Sequence, residues 1–199
     1  DQFHHNSAPE GGALYLGQNA QSSITGSVFF RNEASSGDGG AVVCESGDCV
    51  EIINSAFVAN SATSNGGAIS LDLLDAHRKT AASSIQTNLV NLSVMLNRAD
   101  GKGGGVYGSA DISKYNMRIL NSILWGNSDA DNVMANVADT GDITTRVRWS
   151  LIDTVLSAWD PNGTNVLDVS PDVVAGSVAA LIDTNGLAGL DTLWMTSDD

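Results

Sequence analysis

Two unrelated short motifs alternate along this chain at nearly constant spacing, and that repetition limits what it can fold into more than any other feature. A glycine pair followed by apolar residues occurs as Gly11-Gly12-Ala13-Leu14, Gly39-Gly40-Ala41-Val42, Gly66-Gly67-Ala68-Ile69 and Gly104-Gly105-Val106-Tyr107. The steps are 28 (39 − 11), 27 (66 − 39) and 38 (104 − 66), the last lengthened by an insertion near residues 71–86. Between the pairs lies a second recurring segment ending in Asn: Ile24 to Asn32 (Ile-Thr-Gly-Ser-Val-Phe-Phe-Arg-Asn), Ile52 to Asn60, Leu89 to Asn97 and Ile119 to Asn127. A degraded fifth copy spans Val147 to Asp153.

Helical repeats need amphipathic segments of about ten or more residues at 3.6-residue spacing. These apolar runs are shorter and are broken by Gly, Asn and Ser. A coil of about 27 residues with three short strands fits, successive coils stacking about 4.8 Å apart and sharing backbone hydrogen bonds along the axis. The expected fold is therefore all-β: a right-handed, single-stranded parallel β-helix of about five coils. It should run over residues 11–155, after an N-terminal arm (1–10) and before a less regular capping or packing segment (156–199).

Stacking gives each repeated residue a role. Phe29, Phe57, Val94 and Leu124 are expected to form an inward apolar ladder. Asn32, Asn60, Asn97 and Asn127 are expected to form a ladder of amides at a sharp turn, bonded to one another and to the backbone.

The remaining composition narrows function by exclusion. The 199 residues carry 23 acidic and nine basic side chains, a net charge of −14. A surface this negative repels phosphate backbones, so nucleic acid is not an expected partner. No run of 18 apolar residues is present, so this segment is not expected to insert in a membrane. Asp1 is no initiator, and the chain reads as a processed or trimmed piece. The two cysteines in Cys44-Glu-Ser-Gly-Asp-Cys49 suit a disulfide of an exported protein; two reduced thiols or half of a metal site are the alternatives.

The combination of Gly-Gly-Ala-(Leu, Val or Ile) with Phe-x-x-Asn resembles the repeats of chlamydial-type polymorphic outer-membrane proteins and related bacterial right-handed β-helix proteins. The carriers are Gly11 to Leu14, Phe29 to Asn32, Gly39 to Val42, Phe57 to Asn60 and Gly66 to Ile69. Val94 and Leu124 stand where the pattern has Phe. The tail loosely resembles β-helix proteins with sorting anchors, through Asp160-Pro161-Asn162-Gly163, Gly176 to Asp183 and Thr196 to Asp199, without the Pro expected after Ser177. The resemblance implies an extracellular or cell-surface location, and adhesion or scaffolding toward a surface glycan, a protein or further copies of the chain.

The chemistry of sites gives little to set beside this. Inverting glycosidases need two carboxylates across a groove, and lyases need a calcium set plus a basic residue; neither family's signature is present. No catalytic residue is expected. A carbohydrate-binding or polysaccharide-cleaving domain and a passive stalk are the alternative readings. His4-His5 reads as an incidental pair rather than a ligand set. Asp129, Asp131 and Asn132 form the leading calcium candidate, carboxylates two residues apart in a loop, ahead of Asp160, Asn162 and Asp168 in the tail; no other cofactor is expected. Trp125, outward by alternation from Leu124, and Tyr107 are candidates for stacking on sugar rings, with Trp149, Trp159 and Trp194 further ones.

Overall fold

The computed structural model describes residues 1–17, 22–45, 49–72, 85–130, 135–153 and 166–167. Among them every regular element is a strand and every strand pairing is parallel. No helix among them is long and apolar enough to cross a membrane. The chain is a parallel β-solenoid of about four turns.

Three stacks of strands make its walls. The first is a seven-stranded sheet running Gln2–His4, Val28–Phe30, Ala56–Val58, Ser93–Met95, Ile123–Trp125, Leu151–Ile152 and Val166–Leu167. The second is a short stack of two-residue strands, Ser7–Ala8, Glu33–Ala34, Ser61–Ala62 and Arg98–Ala99. The third begins as two separate strands per turn, such as Val42–Glu45 and Cys49–Ile53. In the fourth turn these merge into one continuous strand, Val106–Leu120, which pairs along both halves with Val137–Arg148. Residues 2–8, read from sequence as an arm, already pair with the next turn through Phe3↔Phe29 and Ser7↔Glu33. The part of the expected insertion at 73–84 and nearly all of the expected capping segment lie outside the described residues.

Three corners per turn explain the residue types. In each, one residue adopts left-handed backbone geometry, and the positions superpose from turn to turn. One column is Gly11, Gly39, Gly66 and Gly103; another is Gly26, Asn54, Asn91, Asn121 and Trp149; the third is His5, Arg31, Ala59, Leu96 and Gly126. The glycine pair is two requirements side by side. Gly39 has φ +64°, and a Cβ on Gly40 would run into the backbone of Ser61 and of Gly67 in the next turn, so only hydrogen fits there. The fourth pair is Gly103–Gly104, one residue earlier than sequence alignment placed it. Gly103 carries the positive φ and Val106 pairs with Ile69, so Gly105 occupies the position of Ala13, Ala41 and Ala68.

The core is a set of vertical ladders. Phe29, Phe57, Val94, Leu124 and Ile152 stack in register and are all fully buried. On the third wall Ile52, Leu89, Ile119 and Val147 do the same. Each rung therefore buries its apolar residues against the rung above and below, which leaves the alternate, outward positions free of packing duty.

Candidate functional site

Among the described residues the most ordered polar array is internal. Asn32, Asn60, Asn97 and Asn127 are essentially unexposed. The backbone N–H and the Nδ2 of Asn32 both donate to Asn60 Oδ1 at 2.9 Å. Asn60 donates in the same way to Asn97 Oδ1, and Asn97 to Asn127 Oδ1, again at 2.9 Å. Each Nδ2 has a second acceptor, a carbonyl of the preceding turn: Phe3 for Asn32, Phe29 for Asn60, Phe57 for Asn97 and Val94 for Asn127. The array is longer than the four repeats. Asn6 starts it by donating to Asn32 Oδ1. Asn127 passes it to Asn136 Oδ1 at 2.7 Å, and Asn136 donates to the Asp153 carboxylate.

The amide-to-amide bonds all run toward the C-terminal turns, so these bonds polarise one another in one direction. The chain of dipoles ends on a carboxylate, the acceptor best suited to its positive end; the Gly126 N–H donates to the same group at 2.5 Å. Sequence reading missed three members. Asn6 was legible, because Phe3-His4-His5-Asn6 is another Phe-x-x-Asn copy. Asn136 falls outside the repeat pattern, and Asp153 closes the degraded fifth copy at a position that holds no Asn in the other copies. The ladder's work is structural: it ties successive turns together inside the wall.

The other sequence candidates do not converge. Tyr107 is half-buried on the third wall and shares a 2.7 Å hydrogen bond with Thr140. Trp125 is half-buried on the seven-stranded sheet beside Met95. The Asp129 carboxylate accepts from the Gly103 N–H at 3.2 Å, while Asp131 and Asn132 lie outside the described residues. Among the described residues no three His, Cys, Asp or Glu side chains group as a metal site. Cys44 is fully buried in the core between Leu16 and Leu71; the Cys49 side chain is outside the described set, and so is any disulfide to it. His4 and His5 pack edge to face, and His5 also meets Phe30. Tyr15 is exposed near Glu45; a hydrogen bond to that carboxylate, then partial burial and neighbouring acidic charge, push its phenol up to about 12.

The surface feature with the most chemistry is a cleft of about 150 Å3 lined by Arg118, Leu120, Arg146, Arg148 and Trp149. Backbone register builds it. Arg118 pairs with Arg146 and Leu120 with Arg148 on adjacent turns, all at outward positions between the buried Met117, Ile119 and Val147. Trp149 follows at the corner, 59% exposed. It occupies, at φ +53°, the corner column held elsewhere by Gly26 and three asparagines.

A bulky residue in the left-handed region costs about 1–2 kcal/mol, whereas Asn is at home there. Trp149→Asn is therefore expected to raise stability by about 1 kcal/mol in urea unfolding, since so exposed an indole loses little burial. A destabilising result would show that the indole is held by packing.

Comparison of the chain with protein-family models, with curated proteins and with solved structures returned no match in any of the three. The fold defines a class: a parallel β-solenoid repeat protein whose interior is committed to stacking.

Proposed function

We propose that this chain is a non-catalytic extracellular or cell-surface module for adhesion or scaffolding, of the kind the repeats of polymorphic outer-membrane proteins resemble. The supporting observation is the division of labour along each strand. Inward residues form continuous ladders, so outward residues of successive turns come into fixed register 4.8 Å or so apart without contributing to the core. Such a face presents a long, rigid array that costs little conformational entropy on binding. The excess of acidic side chains keeps it soluble and selects against polyphosphate partners.

The test is capture by the immobilised full chain across panels of glycans and of extracellular proteins, paired with an assay for released reducing ends. Capture without cleavage products is the expected result. Release of new reducing ends would overturn the non-catalytic reading. A carbohydrate-binding role is the second reading, and the arginine-lined cleft with its exposed Trp149 favours it over a passive stalk.

A further inference from the structure

We propose that the cleft formed by Arg118, Leu120, Arg146, Arg148 and Trp149 binds one ring of a saccharide chain bearing carboxylate or sulfate groups. The proposal rests on the surface-module reading and names a ligand class for it.

Charge distribution is the first argument. Three of the chain's nine basic residues line this one cleft in a protein of net charge −14. Arg118 and Arg146 are direct neighbours across a parallel pairing, where like charges repel and destabilise. Among the described residues neither has an ion-pair partner, whereas Arg98, on a different sheet, pairs with Asp100. The outward row continues through Asn88 to Glu51, whose carboxylate is two turns from Arg118. Two arginines paired across successive turns, with no counter-charge among the described residues, are what an anion bridging the turns would relieve.

The second argument is an unmet hydrogen bond. The Nε–H of Arg148 is buried and has no acceptor among the described residues. An anionic oxygen entering the cleft beside it would supply one. Third, Trp149 stands exposed at a corner that favours Gly or Asn. Strain kept at a surface position suggests a use for the side chain, and an indole face beside cationic forks offers a ring an apolar wall and its substituent a donor pair.

Size decides the extent of contact. Pockets for drug-sized ligands run to about 300–1,000 Å3, so a cleft of about 150 Å3 accepts a single ring, the rest of the chain lying across the outward rows. Negative charge elsewhere opposes any long polyanion, so the site favours a short or sparsely charged saccharide over a nucleic-acid strand, which carries a charge at every residue.

Titration calorimetry of the full chain would use four probes: a sulfated oligosaccharide, an oligogalacturonate, a neutral malto-oligosaccharide of equal length and a single-stranded oligonucleotide. Either or both acidic saccharides should bind, more weakly as salt rises, and the neutral one should not. Arg146→Gln and Trp149→Asn are each expected to weaken binding about tenfold to a hundredfold, with circular dichroism unchanged. Sulfated against carboxylated probes distinguishes the two anions. Absence of binding to both acidic probes, equal affinity in the two variants, or equal affinity for the neutral sugar or the oligonucleotide would overturn the site. Capture of extracellular proteins without saccharide binding would remove this site and leave the module reading standing.

Discussion

Replacing Asn60 by alanine is expected to destabilise the solenoid by about 3–5 kcal/mol, a large fraction of the total stability of an ordinary domain. The side chain ends four hydrogen bonds. Its Oδ1 accepts from the backbone N–H and the Nδ2 of Asn32, and its Nδ2 donates to Phe29 O and Asn97 Oδ1. Asn97 Oδ1 keeps the backbone N–H of residue 60. The Asn32 backbone donor and the Phe29 carbonyl lose these partners inside a wall that is essentially unexposed, each at about 1–3 kcal/mol.

Asn60→Asp separates hydrogen bonding from shape. The carboxylate can still accept from Asn32, but it faces Phe29 O and Asn97 Oδ1 with no hydrogen to give, and burial adds the cost of its charge. Its folded-state pKa should rise above the value of about 3.9 in the unfolded chain. The loss should then be largest above the raised folded pKa and shrink as pH falls through it, because the protonated acid donates once. Urea unfolding of both variants at pH 7 and pH 4.5 provides the check. A loss under about 1 kcal/mol for Asn60→Ala would show that the ladder is decorative.

What the sequence made legible follows from this architecture. Residues that superpose must satisfy the same steric and hydrogen-bond demands, so they recur at the coil length. The glycine pairs and the Phe-x-x-Asn runs therefore revealed a stacked β fold. The same logic hid other things. Gly103, Gly104 and Gly105 look alike as letters, and only φ and the Ile69–Val106 register distinguish corner, close approach and Ala position. Asn136 joins the ladder nine residues after Asn127 rather than one coil later, so periodicity could not find it.

The candidate cleft was half legible. Arg118 and Arg146 differ by 28 residues (146 − 118), one coil length, which is enough to stack them once the register is known. Trp149 was visible as an aromatic. Its left-handed backbone became apparent only through its place in a column of Gly and Asn. Outward residues face no shared steric demand, so their recurrence is not enforced and their grouping has to be read from coordinates.

Phe57→Ala is expected to cost about 3–5 kcal/mol, the range for emptying a buried aromatic site. The rings of Phe3, Phe29 and Phe57 lie parallel, with centroids 4.8 and 4.7 Å apart and planes within 5°. Parallel rings at this separation lie within the range of favourable aromatic pairs, worth about 0.5–1.5 kcal/mol beyond their burial. The rung spacing imposes the geometry here, so burial and dispersion are expected to supply the larger part of the stabilisation and ring stacking the smaller. A test between these origins is Phe57→Leu. If burial dominates, leucine should recover most of the loss and remain within about 1.5 kcal/mol of the parent, as the Val94 and Leu124 rungs of the same ladder already suggest. If stacking itself dominated, leucine would be nearly as damaging as alanine. Because each turn touches only its neighbours, the damage should also be local. Amide exchange should quicken first in Val28–Phe30 and Ser93–Met95, the strands paired to Ala56–Val58, before it reaches Leu151–Ile152. Uniform loss of protection along the whole chain would instead show that the solenoid opens as one cooperative unit, with this ladder transmitting the defect from end to end.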